Sequence, residues 1–321
     1  MSQPKMSVDA ICALFGKTRQ AYYQRLSYKY EERAEEGIIL EIIESLRREM
    51  GRMGGRKLWH EIDGMYPGLV SRDRLFDILD KHHLKVHRRV RTVRTTWSES
   101  WLHRFPNLIE GVVLTAANQV WVSDITYIET AAGFVYLHLV TDAYSKRIMG
   151  WCPSPSLHAE ATIAALRMAL RNAGCDLTGL IHHSDRGCQY CCEKYVKLLQ
   201  DNGILISMTQ DGNPRDNAIA ERVNGILKTE WLNDERFVGF EDAKRRISEV
   251  IDLYNNRRPH LSLNYQTPIQ AYFETGEQVR VWKNYYKAKK QEDVAKVIEE
   301  LTSGCGTSAT TYGKQTNNYA Q

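Results

Sequence analysis

Proline is scarce, with 8 residues in a chain of 321, and cysteine is scarcer still, with 7. Seven thiols over this length are too few for a disulfide scaffold, and their odd number fits a reducing compartment. Long hydrophobic runs are missing too: none approaches the roughly 18–20 residues that a bilayer crossing requires. The opening MSQPKMSVDA lacks the apolar core of a signal peptide, so the expected location is the cytoplasm, with no membrane partner. Nor is there a large excess of one charge. Lys and Arg number 43 against 39 Asp and Glu, and the balance of +4 by itself announces no nucleic-acid partner.

What is present points to an ordinary folded chain. Hydrophobic residues make up 43% and charged residues 26%, which excludes collagen-like, fibrous and wholly disordered classes. The length corresponds to about two domains at roughly 100–200 residues each. Charge is unevenly distributed. Residues 1–120 carry 20 basic and 15 acidic side chains, residues 121–220 carry 8 and 10, and residues 221–321 carry 15 and 14. The middle third is therefore the acidic part, between more basic flanks.

Ser7 followed by apolar Val8, Ile11, Cys12 and Phe15, then Gly16 and Thr18 before TRQAYYQRL, predicts two short helices at helix-turn-helix spacing. Further helices are expected at GIILEIIESLRREM, at RKLWHEI after a break at Gly51, Gly54 and Gly55, and at RDRLFDILDKHHL behind a Ser71 cap. Residues 81–94 then hold six Lys or Arg, three His and no acid; taken alone, this block is a solvated linker. From Asn118 the texture turns strand-like: QVWVSDITYIET, GFVYLHLVTDAYS and KRIMGWCPS form an antiparallel meander. A helix, the strand LTGLIHHSD, a second helix and the strand ILISMTQ follow, giving the order βββαβαβ and a mixed sheet of the α/β class. The last third is helical, and residues 302–321, without Leu, Ile, Val or Phe, are expected to be disordered.

Three carboxylates stand out. Asp124 lies inside the apolar strand VWVSDITYI, where an unpaired charge costs several kcal/mol unless something offsets it. Asp185 follows an apolar strand at its carboxyl end, where α/β sheets place ligands. Glu221 lies on a helix, with Lys228 two turns later on the same face. Taken singly, these are a core or strand-end Asp, a helix N-cap, and a surface Glu with a surface Lys. Taken together, on neighbouring strands, they are three hard oxygen ligands at one sheet edge, suited to Mg²⁺ or Mn²⁺ rather than zinc. Two such ions about 4 Å apart can activate an attacking oxygen and stabilise a leaving one in phosphoryl displacement.

The segments WVSDITYI, HHSDRGCQY and DNAIAERVNGILKTE, with 35 residues between Asp185 and Glu221, resemble the Asp-Asp-35-Glu signature of integrase-type transposases. More closely, the chain resembles orfB-type transposases of the insertion-sequence-three family, in the retroviral integrase superfamily. YNNRRPHLSLNYQTP is similar to the segment after that family's core, and GGRKLWHEI with VSRDRLFDIL to its DNA-binding part. The resemblance implies a ribonuclease H-like catalytic core, a mixed five-stranded sheet flanked by helices, preceded by an all-α helix-turn-helix DNA-binding region. It implies a layout of helix-turn-helix (1–30), second helical DNA-binding domain (31–95), linker (96–117), catalytic core (118–275), C-terminal helical extension (276–301) and tail (302–321).

By the same resemblance Asp124, Asp185 and Glu221 are the catalytic, metal-binding triad for two Mg²⁺ or Mn²⁺ ions. His183 and Asn217 orient these ligands, and Lys228 contacts DNA near the transposon end. Expected DNA contacts are Arg19, Gln20, Tyr22 and Arg25 on the second helix, and Lys85, Arg88, Arg89 and Arg91 in the basic block. The implied activity is that of a bacterial, nucleoid-associated DNA transposase: metal-dependent cleavage at terminal inverted repeats, then strand transfer by transesterification into target DNA. Implied partners are a second copy on paired ends and an upstream-frame, orfA-type product. A ribonuclease H-like nuclease that only hydrolyses, and a catalytically silent DNA-binding regulator, are the alternatives. Cys188, Cys191 and Cys192 depart from the family pattern; no second Cys-x-x-Cys or His pair at zinc spacing accompanies them.

Overall fold

Three hydroxyls start three helices at the positions their sequence contexts predict. Ser7 accepts from the Ala10 amide and opens α1 (Val8–Leu14), Thr18 accepts from Ala21 and opens α2 (Arg19–Glu49), and Ser71 accepts from Arg74 and opens α4 (Arg72–Lys81). Between them α3 (Gly55–Met65) begins without a side-chain cap. These elements belong to a computed structural model that describes residues 7–87, 105–210 and 217–278.

The α2 helix corrects one expectation. TRQAYYQRL and GIILEIIESLRREM are not separate helices but the two ends of a single helix of 31 residues, which runs through the boundary expected at residue 30. The intervening SYKYEERAEE contains no proline and several good helix formers, so nothing breaks the ladder. Gly37 costs about 1 kcal/mol relative to alanine, and burial of Ile39 and Ile43, each worth about 1.5–3 kcal/mol, offsets it. Only the second half of α2 is anchored in this way: Tyr22, Tyr23, Tyr28 and Tyr30 are exposed.

The sheet has the order β3-β2-β1-β4-β5. Strands β1 (Val120–Thr130), β2 (Gly133–Asp142) and β3 (Ile148–Ser154) form the antiparallel meander, while β4 (Ile181–Ser184) and β5 (Leu205–Met208) run parallel to β1. Helices α5 (Ala159–Ala173) and α6 (Glu193–Asp201) provide the crossovers, and α7 (Ala218–Leu227) and α8 (Phe240–Asn256) follow β5. This is the ribonuclease H-like arrangement that the resemblance implied. Strand alternation divides the core. Trp121, Val140 and Met149 pack with residues of α5 and α6, whereas Ile128, Val135, Leu137 and Leu139 pack with Val223 and Ile226 of α7 and Ile247 and Val250 of α8. The second cluster continues into Ile39, Ile43, Leu58, Ile62 and Leu75, so helices α2 to α4 share a core with that face.

The expected C-terminal extension beyond residue 278, the tail and residues 88–94 of the basic block lie outside the described residues. Among the described residues no helix is long and apolar enough to cross a membrane. One close approach fixes α5 against the sheet: a Cβ on Gly150 would lie 2.0 Å from the Ala165 carbonyl oxygen and 2.7 Å from the Ala169 amide nitrogen. Both are backbone atoms that a rotamer change cannot move aside. Gly150→Ala is expected to destabilise the protein by roughly 1–3 kcal/mol or more, read as a lowered urea midpoint; an unshifted midpoint would mean that α5 is free to move off the sheet.

Candidate active site

Register puts Asp124 and Asp185 side by side. Ser123 of β1 pairs with Ser184 of β4 in the parallel ladder, and each carboxylate is the next residue along its own strand direction. By alternation both face the side of the sheet covered by α7, with Val122 and His183 one step behind them. Asp185 emerges at the carboxyl end of β4 and accepts from the Gly187 amide at 3.0 Å. Asp124 is within β1, in a row whose other members are Val120, Val122, Thr126 and Ile128.

Helix α7 is laced to that row. Asn217, at its start, donates from Nδ2 to the Ser123 carbonyl at 3.1 Å, and Asn224 donates from Nδ2 to Asp124 Oδ2 at 2.7 Å. Residues 217, 221, 224 and 228 lie four, three and four apart, a single stripe of an α-helix. Glu221 therefore sits between the two asparagines on the side facing β1, with its side chain exposed. Lys228, at the next step, places Nζ 4.1 Å from the centroid of the Tyr127 ring.

Electrostatics follow from this crowding. The Asp124 carboxyl is raised to about 7, first by burial and then by the Asp185 charge, with the Asn224 and Ile125 hydrogen bonds opposing the shift and Glu221 adding a smaller upward push. Burial also raises Asp185, against the Gly187 amide. Burial lowers Lys228, and the Asp124 charge works in the opposite direction. A pair of adjoining carboxylates that resist ionisation is the donor chemistry a divalent cation would relieve, and the residue types fit Mg²⁺ or Mn²⁺. In the arrangement seen, no three His, Cys, Asp or Glu side chains among the described residues are drawn together closely enough to hold an ion. Asp124 and Asp185 are together; Glu221 is beside them and turned to solvent.

The other expected residues fall in several places. His183 is buried and shares a 2.8 Å hydrogen bond with Ser207 Oγ, tying β4 to β5 two residues before Asp185. Its neighbour His182 faces the opposite side, bonded through Nε2 to Ser123 Oγ and to the Tyr195 hydroxyl. Arg19, Gln20, Tyr22 and Arg25 are exposed at the start of α2; Arg19 pairs with Asp9 at 3.3 Å. Lys85 pairs with Asp80 at 2.8 Å. Arg88, Arg89 and Arg91 lie outside the described residues. Cys188 is exposed, and Cys191 and Cys192 are half-buried, just before α6. Asn224 is the residue that sequence reasoning missed. The available signal was an amide among Val223, Ile226 and Leu227, three residues after Glu221 and thus on its face.

Two family models, each described as an integrase core domain, match residues 115–214 and 202–268. The chain is 36% identical over 264 residues to the "Insertion element IS600 uncharacterized 31 kDa protein" of Shigella sonnei, covering 80% of this chain and 96% of the relative. It is 33% identical over 215 residues to a "Putative transposase for insertion sequence element IS986/IS6110" of Mycobacterium tuberculosis, covering 65% and 77%. It is 28% identical to "Transposase InsF for insertion sequence IS3A" of Escherichia coli, covering 80% and 91%.

The raised Asp124 carboxyl has a stability consequence whose sign is set by linkage. The folded state keeps a proton, up to about pH 7, that the unfolded chain has released near its ordinary 3.8. That stability is present at acid pH and is lost as pH rises through 7. Without divalent ions, Asp124→Asn is expected to melt higher than wild type at pH 8, by on the order of 2–4 kcal/mol, and by much less at pH 5. A gap independent of pH would remove the buried-charge explanation.

Proposed function

This chain belongs to the insertion-sequence transposases that carry an integrase core domain, and from that premise we propose that it cuts DNA at the terminal inverted repeats of its element and joins the freed ends to target DNA. The observation that carries this reading is the side-by-side placement of Asp124 and Asp185 on parallel strands, with Glu221 on the neighbouring helix that Asn217 and Asn224 tie to β1. Asp124, Asp185 and Glu221 are the residues that would hold two Mg²⁺ or Mn²⁺ ions. Bound there, such ions supply the positive charge that stabilises the attacking and leaving oxygens of an in-line displacement.

The chain's own residues do the rest by position. Asn224 fixes one oxygen of Asp124, and the Ile125 amide, at 2.9 Å, fixes the other. Asn217 holds the β1 backbone one residue before it, and His183 holds the strand that presents Asp185. Lys228, on the same stripe as Glu221, is suited to a DNA phosphate beside the scissile bond. Hydrolysis breaks a P–O bond at the element end and leaves a 3′-OH; that hydroxyl then displaces an alcohol from a second phosphodiester, one P–O bond replacing another. Neither step needs a protein nucleophile, and Ser123 Oγ is engaged by His182 behind the sheet. A second copy of the chain on the paired end, and an upstream-frame product as a partner or a fusion, complete the proposal. The exposed basic start of α2 and the basic segment from Lys85 onward supply DNA contacts.

Asp185→Asn is expected to abolish end cleavage in Mg²⁺ while end binding, measured by mobility shift, stays within about 2-fold, since phosphate contacts elsewhere supply the affinity. Wild-type protein that binds ends but never cuts would identify a regulator, and cutting without joining of pre-cut ends would identify a nuclease. Asn224→Ala should retain binding and lower cleavage by about 10–100-fold, the range for losing a residue that orients a metal ligand; wild-type cleavage in this variant would mean Asp124 needs no such hold.

A further inference from the structure

Lys228 ends the stripe of α7 that faces β1, and what its ammonium meets is an aromatic ring. Among the described residues it makes no ion pair and its Nζ donates no hydrogen bond; Nζ lies 4.1 Å from the centroid of Tyr127. Tyr127 in turn meets Phe134 of β2, with ring centroids 5.5 Å apart and planes at 80°. That is the edge-to-face arrangement aromatic pairs prefer. Both rings are open to solvent, at 37% and 45% exposure, and neither belongs to the core on their side of the sheet.

Strand alternation puts Tyr127 on the face opposite Asp124, in the row of Trp121, Ser123 and Ile125. Lys228 comes from the helix on the Asp124 face, so it reaches this ring around an edge of β1. The edge is open because β4 pairs with β1 only from Val120 to Ser123. From Asp124 onward no strand covers it among the described residues until the bridge between Thr130 and Phe237. The lysine therefore wraps the strand immediately beyond the two carboxylates. A carboxylate in place of the ring would neutralise the ammonium and compete with a phosphate for it. An aromatic face attracts the cation through its quadrupole and leaves the charge uncancelled. The ring thus fixes where the ammonium is while N–H donors stay available to an incoming anion.

We propose that Tyr127 is a positioning residue for Lys228: its ring, braced by Phe134, holds the ammonium at the open edge of β1 to receive a backbone phosphate of the DNA strand that enters the carboxylate site. This rests on the reading of that site as one that holds DNA. An unheld lysine loses the freedom of a long, flexible side chain when it meets a phosphate, whereas one already placed over a ring has less to lose. Tyr127 touches neither the reacting atoms nor the phosphate, and acts only through Lys228. The phosphate belongs to the element end or to the target; the chemistry is the same for both.

The test uses the full chain with Tyr127→Phe, Tyr127→Leu, Lys228→Met and the double variant Tyr127→Leu/Lys228→Met. Binding to an end duplex and to an unrelated duplex is measured in Ca²⁺. Tyr127→Leu is expected to raise Kd by about 3–30-fold, the worth of a half-buried cation–π contact, whereas Tyr127→Phe, which keeps the ring, binds as wild type does. In the Lys228→Met background Tyr127→Leu should add nothing, because no ammonium is left to position. A change confined to the end duplex assigns the phosphate to the element end, and an equal change on both duplexes assigns it to DNA of any sequence, target included; either supports the role. In the free protein, the Lys228 Hε protons should show an upfield ring-current shift in wild type and Tyr127→Phe that Tyr127→Leu abolishes. If Tyr127→Leu melts well below wild type, Phe134→Leu, which removes the brace and keeps Tyr127, carries the same test in the same direction. Wild-type affinity in Tyr127→Leu, an equal loss in Tyr127→Phe, a further loss in the double variant, or no ring-current shift in wild type would overturn the proposal and leave the catalytic reading intact. Wild-type protein that shows the expected binding pattern but never cuts ends would overturn the catalytic reading and leave the role of Tyr127.

Discussion

Two carboxylates on adjacent parallel strands repel each other and resist burial, and the rest of the molecule is organised around holding them there. Asp124 stands in a row of apolar side chains, where burial and the neighbouring Asp185 both penalise its charge. Strand register leaves no freedom to separate them, because a one-residue slip would turn every side chain of β1 to the other face. The opposing contributions are local and modest: an amide from Asn224, the Ile125 and Gly187 backbone N–H groups, and the more distant charge of Lys228. What keeps the arrangement is the large apolar core on both faces of the sheet, whose loss would cost far more than the repulsion does.

Helix α7 carries this constraint outward. It continues into a π-helical turn, Lys228–Leu232, where Thr229 Oγ1 donates to the Gly225 carbonyl at 2.6 Å and so enters the helical ladder. The widened turn sends consecutive side chains to different partners. Lys228 lies over Tyr127, Glu230 reaches Arg258 and Lys57, and Trp231 donates to the Glu49 carbonyl at the end of α2. His60 of α3 stacks on Tyr265 at 4.4 Å in the same seam. The helices that precede the core are thus joined to the element bearing Glu221 by the side chains of one turn.

Much of this was legible beforehand. The caps at Ser7, Thr18 and Ser71 were readable because an N-cap is a local event, decided by a hydroxyl and the amides three residues on. The strands were readable because β-branched and aromatic runs between short turns have few other outcomes. Asp124 and Asp185 could be singled out because carboxylates in apolar or strand-end settings are conspicuous, whereas Glu221, a surface glutamate by itself, stood out only through its spacing from them and the family resemblance that spacing carries. The long α2 was not legible: Gly16 and Gly37 look alike as breaks, yet Gly16 has a positive φ and ends a helix, while Gly37 lies within one. Burial of Ile39 and Ile43 against other helices decided the second case.

Asn224, the π-helical turn and the sharing of Glu230 by Arg258 and Lys57 join residues up to 182 positions apart, and no local pattern announces such pairs. The sequence by itself determined which segments are helix or strand and which chemical groups are available, since propensity, capping and side-chain type act within a few residues. Only the tertiary structure decided that Asp124 and Asp185 share one level of the sheet, that Asn224 rather than a neighbour reaches Asp124, and that Lys57 and Arg258 share Glu230. Those outcomes depend on distances through space, which strand register and helix packing set and residue order does not.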